Sequence, residues 1–358
     1  MKKTTFRIVA LLTLCLFLVN WGSVGHRNIN KKTPESFPIS MVGFGVWADS
    51  LSQHGSDADN RKSADPNESP RHYIDIDNYP EFKSTGRIAS TYDSIVRIHG
   101  SGFVVSNGTL PWATRITYDS LKNAFKACQW HKAMLFASDL GHYVADGHMP
   151  LHITSNFDGG ETGQSGIHSR YESNMVSSYL SSIINYKGEP AQYVSNVNVY
   201  VINYILTNQK YVQSVLDADT YASNLAGDNS SSKYYSSLWS KAGFTTTLFK
   251  NASHSLADLI YSAWVDAGSP VYGSKYVFNA MNSSSANNIK FYPNPTKGII
   301  TLVGDDVVKV NVATVTGTPV GSFTVNEVDL SKLSNGIYIL SIYGKEGFLK
   351  KQKVLLSK

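Results

Sequence analysis

The sequence predicts two structural classes in one chain: a mainly α-helical body and, after it, a small all-β sandwich. Three observations carry this. Between Tyr118 and Trp264 apolar residues recur at helical spacing, as in Leu121, Phe125, Cys128, Leu135 and Phe136. From Gly298 onward, short β-branched runs alternate with turn residues. Between them Asn279 to Asn288 is small and polar, the texture of a linker. With 358 residues, 42% hydrophobic and 12% aromatic, the chain can build a sizeable core, and disorder as its main state is excluded.

Taken in order, the first element is a basic start (Lys2, Lys3, Arg7) followed by an apolar run of twelve, Ile8 to Val19, broken only by Thr13. That run is short for a bilayer span and reads as a signal peptide, residues 1–20, rather than a transmembrane anchor. Leu18 and Asn20 stand where small residues are wanted before the cut, and Cys15 leaves a lipoprotein alternative. In the mature protein Cys128 is then alone, without an intrachain disulfide. Residues 21–118, richer in Pro, Gly and Asp, are expected to run through long loops. Helices are expected over Tyr118 to Gly141, Val176 to Tyr186, Val194 to Val212 and Tyr234 to Trp264. The domain limits read as 21–275 for the body, 276–289 for the linker and 290–358 for the sandwich.

The net charge of +5 invites a nucleic-acid partner, but it is not in the body. Residues 1–20 carry three positive charges, and residues 290–358 carry nine Lys against five acids. The body is left at −2. Sequence-independent binding to phosphate backbones uses a broad positive field, which this body lacks.

The densest chemistry is Gly141-His-Tyr-Val-Ala-Asp-Gly-His-Met-Pro-Leu-His152. His142 and Asp146, four apart, share one face of a helix. Pro150 limits the helix, and His152 follows in the turn. His168 and Glu172 repeat the four-residue spacing. Two such pairs with a histidine between them are a zinc signal, because imidazole and carboxylate suit that ion. Six residues after His142, His148 points elsewhere, to the surface or behind the ligands. Cleavage after Asn20 would free the amino group of Trp21 to chelate together with His26. Asp49 and His72 add a carboxylate and an imidazole.

These residues, in this order, resemble the superfamily of trinuclear zinc phosphodiesterases, which contains bacterial zinc-dependent phospholipase C and the S1/P1-type nucleases. The resemblance covers most of residues 21–270 and implies that superfamily's helical catalytic fold. It implies three zinc ions: one held by Asp49, His72, His142 and Asp146, a second by His152, His168 and Glu172. The third would take Trp21, His26 and a bridging Asp146. It also implies Asp49 as the catalytic general base. Glu172, Ser52 in place of a phosphate-binding Arg three residues after Asp49, and a body without basic excess favour phospholipid head-group esters. The five-residue spacing from Trp21 to His26 and Val24 in place of an acid favour a nuclease on single-stranded nucleic acid. Tyr73 and Asp75 either pack in the core or contact substrate, and Arg61 is either a replacement phosphate clamp or a solvated charge. A surface or binding protein that keeps zinc for stability, without turnover, is the reading from another class.

The tail resembles the C-terminal sorting domain of type IX secretion through Tyr292-Pro-Asn-Pro-Thr-Lys-Gly298, Val328-Asp-Leu-Ser-Lys-Leu333, Gly336-Ile-Tyr-Ile-Leu340 and Lys350-Lys-Gln-Lys353. That implies a partner in the type IX machinery and export through the periplasm to the surface or medium. An adhesion or carbohydrate-binding sandwich is the alternative.

Overall fold

Helix hairpins in the first part of the chain and antiparallel sheets in the last follow the two textures of the sequence. The computed structural model describes residues 23–274, 289–303, 307–324, 327–344 and 347–358. The expected signal segment, Trp21 and most of the expected linker lie outside them. The chain divides into two compact units between residues 276 and 277.

Where long loops were expected, residues 23–106 form short helices and 3-10 turns. These are α1 (Val24–Lys32), a 3-10 stretch Ile39–Trp47, α2 (Ala48–Gln53), α3 (Asp57–Arg61), α4 (Pro80–Thr85), α5 (Tyr92–His99) and α6 (Ser101–Ser106). Each piece is bounded by local chemistry: α4 opens on Pro80, whose missing N–H costs nothing there, and stops at Gly86 in the left-handed region.

The long helix expected through Tyr118 and Gly141 is two helices, α7 (Leu110–Lys126) and α8 (Trp130–Asp146). The break is at Cys128, which takes φ 50°. Gln129 N–H donates to Ala124 O at 2.9 Å and Cys128 N–H to Phe125 O at 2.9 Å, the pair of bonds that closes a helix end when its next residue turns left-handed. No Gly marks this stop, so periodicity alone runs through it. After α8 come α9 (Ile167–Ser169), a π-helical turn Arg170–Met175, α10 (Val176–Ile183), α11 (Val197–Gln209) and α12 (Val212–Ala226). The expected Tyr234 to Trp264 helix is likewise split, into α13 (Ser232–Lys241) and α14 (Thr245–Asp266).

The buried stripe of α7 (Trp112, Tyr118, Leu121, Phe125) meets that of α8 (Ala133, Ala137, Leu140, Val144) and Leu256, Leu259, Ile260 and Ala263 of α14. A second cluster joins Tyr171, Met175, Val215, Leu216, Tyr234, Leu238 and Phe249. Where α1 crosses α8, a Cβ on Gly141 would lie 2.0 Å from Asn30 Oδ1 and 2.7 Å from Leu256 Cδ2. Only glycine lets α1 approach this closely, beside His142.

The second unit has β1 (Lys290–Tyr292), β2 (Ile299–Val303), β3 (Val307–Thr314), β4 (Pro319–Phe323), β5 (Glu327–Asp329), β6 (Gly336–Gly344) and β7 (Gly347–Leu356). They form antiparallel sheets of order β1-β2-β5 and β4-β3-β6-β7. Period-two alternation buries Val310, Val312, Leu340, Ile342, Val354 and Leu356 with Ile300, Leu302 and Val328 in one core. Among the described residues no helix is long and apolar enough to cross a membrane.

Candidate metal centre

The C-terminal end of α8 is the centre of the site. The 3.6-residue period puts His142 and Asp146 on one face, turned toward α1 and α3 and toward the turn at His72. Asp146 is fully buried. Its Oδ2 lies 3.1 Å from His72 Nδ1 and 3.5 Å from His142 Nε2. Its Oδ1 lies 3.6 Å from His26 Nε2 and 3.7 Å from His152 Nδ1. Four imidazoles from four segments therefore meet one carboxylate.

Three groups of potential ligands result: His26, His142 and Asp146; Asp59, His72 and His142; and His152, His168 and Glu172. In the third, His168 Nε2 lies 2.5 Å and His152 Nε2 3.5 Å from Glu172 Oε2. The α9–π turn brings His168 and Glu172 side by side one turn apart.

Backbone carbonyls set the imidazoles. His142 Nδ1 donates to Gly55 O at 2.8 Å, His152 Nδ1 to His72 O at 2.6 Å, and His168 Nδ1 to Phe157 O at 3.3 Å. A ring whose Nδ1–H is so engaged keeps the Nε2 lone pair for a cation. His26 stacks on His142 with centroids 3.7 Å apart.

The charges are strongly coupled. Burial works against a charged His142, yet Asp146 and Asp59 outweigh it and raise its pKa to about 9. His152 is likewise raised to about 9, against burial, by Asp146 and Glu172. His26, where burial dominates and His142 adds repulsion, falls to about 3. Burial pushes Asp59, Asp146 and Glu172 upward, but the surrounding histidines hold all three below the usual carboxylate range.

The residues fit a metal. Asp146 Oδ1, His152 Nε2 and both Glu172 carboxylate oxygens are buried without a hydrogen bond. Leaving a buried polar atom unsatisfied costs roughly 1–3 kcal/mol each. Bound cations would satisfy these converging atoms, and mixed imidazole and carboxylate donors suit zinc.

The structure brings together seven of the nine expected ligands: His26, His72, His142, Asp146, His152, His168 and Glu172. Trp21 lies outside the described residues. Asp49 is not at the site, which corrects the expectation that it is ligand and general base. Its side chain is 89% exposed on α2, with Lys31 Nζ 3.2 Å from it. Asp59, on α3, takes the place, with Oδ1 3.5 Å from His142 Nε2 and 3.6 Å from His72 Nδ1. A signal for it was present: Lys62 stands three residues after Asp59, where Asp49 is followed by Ser52. Lys62 Nζ lies 2.8 Å from Asp59 Oδ1.

One further expectation is corrected, and one alternative left open by the sequence is decided. Arg61 is no free phosphate clamp: it donates to Asp139 Oδ1 at 3.0 Å, Glu68 Oε2 at 3.4 Å and Tyr143 OH at 3.4 Å. His148 is not at the surface. It is buried, donates Nδ1–H to Val144 O at 2.8 Å and stacks on Tyr204 at 4.5 Å. Tyr73 and Asp75 are half-buried beside His72. Asp75 is raised to about 6 by burial, then by Asp77 and Glu161. Sequence reasoning also missed Glu68, a buried carboxylate behind His72, and Phe157, 55% exposed with its ring 6.0 Å from His168.

Residues 290–357 match the family described as the secretion system C-terminal sorting domain. The second unit is therefore a sorting module, and the chain carries an export address to the surface or the medium. No curated protein matches the chain in sequence. Among solved structures, the chain is similar to an alpha toxin from Clostridium absonum, at 12% identity and TM-score 0.43, covering 94% of this chain and 96% of that one. It is also similar to an alpha-toxin of Clostridium perfringens from an avian strain, at 10% identity and TM-score 0.41, with the same coverage.

Proposed function

We propose that the exported body is a zinc-dependent phosphodiesterase, holding three zinc ions and acting on phospholipid head-group esters in the manner of a phospholipase C. The observation that carries this is the convergence of four buried imidazoles on Asp146, from α1, α8, the His72 turn and the His152 turn, with Asp146 Oδ1 and both Glu172 oxygens left without a hydrogen bond. Asp59, His72, His142 and Asp146 would hold one ion, and His152, His168 and Glu172 a second. His26 and Asp146, with the amino group of Trp21, would hold the third. When bound, zinc supplies Lewis-acid neutralisation of phosphate charge and lowers the pKa of water at the site.

The chain's own residues do the rest. The three Nδ1–H anchors to backbone carbonyls fix His142, His152 and His168 in place. Phe157 offers an exposed apolar face next to His168. Tyr73 and Asp75 follow His72 in the chain, and Asp75, raised to about 6 by burial and by Asp77 and Glu161, could hydrogen-bond a head group in either protonation state. Glu172 and the net charge of −2 on the body favour a lipid over a polyanion. A second reading, a nuclease on single-stranded nucleic acid, gains from Lys62 following Asp59 by three residues. Export through the periplasm by the type IX machinery completes the proposal.

Turnover on phosphatidylcholine vesicles and on single-stranded DNA, each with and without a chelator, tests it. The lipid reading requires chelator-sensitive release of phosphorylated head group at a rate above that on DNA. The reverse order supports the nuclease. No turnover on either substrate rejects both.

A further inference from the structure

His72 is set differently from three of the other ring ligands. His142, His152 and His168 present Nε2 to the cluster and are anchored by Nδ1–H to backbone carbonyls. His72 is inverted. Its Nδ1 faces the cluster, 3.0 Å from His142 Nε2, 3.1 Å from Asp146 Oδ2 and 3.6 Å from Asp59 Oδ1. Its Nε2 points away, 3.3 Å from Glu68 Oε1 and off the ideal hydrogen-bond line. A side-chain carboxylate stands where the other three have a main-chain oxygen.

Glu68 is itself held from every side. Tyr143, the residue after His142, donates its hydroxyl to Glu68 Oε1. Arg61 Nε and Arg71 Nη1 each donate to Oε2 at 3.4 Å. Arg71 lies over the Tyr143 ring at 4.9 Å, and Arg61 also reaches Asp139. Taking a carboxylate out of water costs several kcal/mol unless it is paired. Two guanidiniums and a phenol meet that need here. A buried acid so thoroughly anchored, one helical turn before His72, has a geometric consequence. It selects the imidazole tautomer with hydrogen on Nε2, which leaves the Nδ1 lone pair for a cation. The effect reaches further, because the carbonyl of His72 is the anchor of His152.

We infer that Glu68 is the positioning residue of the His72 half-site, fixing that ring with Nδ1 toward Asp59, His142 and Asp146 and thereby setting metal affinity there. The inference rests on the metal-centre reading of the same cluster. Arg61, which the sequence offers as a substrate clamp, serves this framework instead.

The test compares the full-length exported protein with its Glu68→Gln and Tyr143→Phe variants. Zinc content is titrated against a competing chelator, and the visible spectrum of the cobalt-loaded form is recorded. Glu68→Gln keeps the shape but removes the charge. It should weaken one metal equivalent by about 10- to 100-fold, leave the others bound and alter the cobalt spectrum. Tyr143→Phe keeps Glu68 and removes one of its anchors, so a loss of a few fold at the same equivalent is expected. That second variant decides the matter if Glu68→Gln does not fold. Unchanged affinity and spectrum in a folded variant overturn the positioning role while leaving the metal centre intact. A parent protein that binds no zinc or cobalt overturns both.

Discussion

The Asp59 carboxylate lies 3.5 Å from His142 Nε2, joining the five-residue helix α3 to the buried end of α8. His142 is the largest influence opposing burial at Asp59, and it holds the acid ionised far below the usual range. Asp59→Asn removes this charge from the His72–His142 group. Turnover is expected to fall at least ~100-fold with loss of about one metal equivalent, in line with the loss of a direct ligand. Asp49→Asn should leave metal content and turnover unchanged and shift stability within about 0.5 kcal/mol, as surface substitutions do. Paired metal analysis and kinetics of the two variants check this. A dead Asp49→Asn with full zinc content would restore Asp49 as a base.

Asp146 contacts four imidazoles with two oxygens. Asp146→Asn should therefore cost more than one metal equivalent. It should be no worse combined with His26→Ala in the same site, because residues of one network act non-additively. Metal content of the single and double variants reads this out. Loss of one equivalent alone contradicts a bridging role.

Protonation gives the metal-free protein a characteristic pH profile. His142 and His152 are raised to about 9, whereas unfolded imidazole titrates near 6.5. Their contribution to stability is complete below about 6.5 and is lost as pH rises through about 9. The depressed acids Asp146 and Glu172 act at the other end. Theirs is complete above about 4.5 and is lost as pH falls. Zinc requires neutral imidazole, so the loaded protein follows the opposite slope on the alkaline side. Thermal melts should show the chelated protein losing several degrees between pH 6.5 and 9 while the zinc-loaded protein does not. Parallel slopes for the two forms reject this linkage.

Arg170 sits between His168 and Glu172 in sequence but on the other side of the π turn. Its guanidinium donates to Asp219 at 3.0 and 3.1 Å and to the carbonyls of Ser165 and Gln164 at 2.7 and 3.0 Å. Asp219 is buried. Arg170→Met takes away the cation paired with that acid, leaving it only the Gln164 amide and the Tyr234 hydroxyl, and a loss of about 3 kcal/mol is expected from denaturant unfolding. The double change Arg170→Met with Asp219→Leu should recover a large part of it. A single-variant cost below 1 kcal/mol contradicts a structural role for the pair.

Gly141→Ala drives a methyl into Asn30, whose Nδ2 donates to Leu51 O and Ser138 O at 3.1 Å each and cannot retreat. Overpacking of this kind costs typically about 1–3 kcal/mol. The displaced element is α1, which carries His26, so metal affinity should fall with stability. Equal stability and affinity in the variant would show that α1 is free to shift.

Much of this was legible in the chain. His142, Asp146, His168 and Glu172 announce themselves because a four-residue spacing on a helix is a local property. The tail strands do so because alternation is local as well. Lys62, three residues after Asp59, was the one local hint for Asp59 over Asp49, since the two acids lie ten residues apart on separate short helices. Which one faces α8 depends on how α2 and α3 pack, not on period. The burial of His148 depends on Tyr204 from α11, 56 residues away. The break at Cys128 rests on a left-handed residue that is not glycine. Glu68 escaped notice because its role comes from Tyr143, distant in sequence, as much as from His72.

Elemental analysis of the purified exported protein, with the amino-terminal residue determined on the same sample, tests the central claim most directly. The account predicts three zinc ions per chain on a protein that begins at Trp21. A chain without bound metal, after purification free of chelator and re-equilibration with zinc, would contradict it.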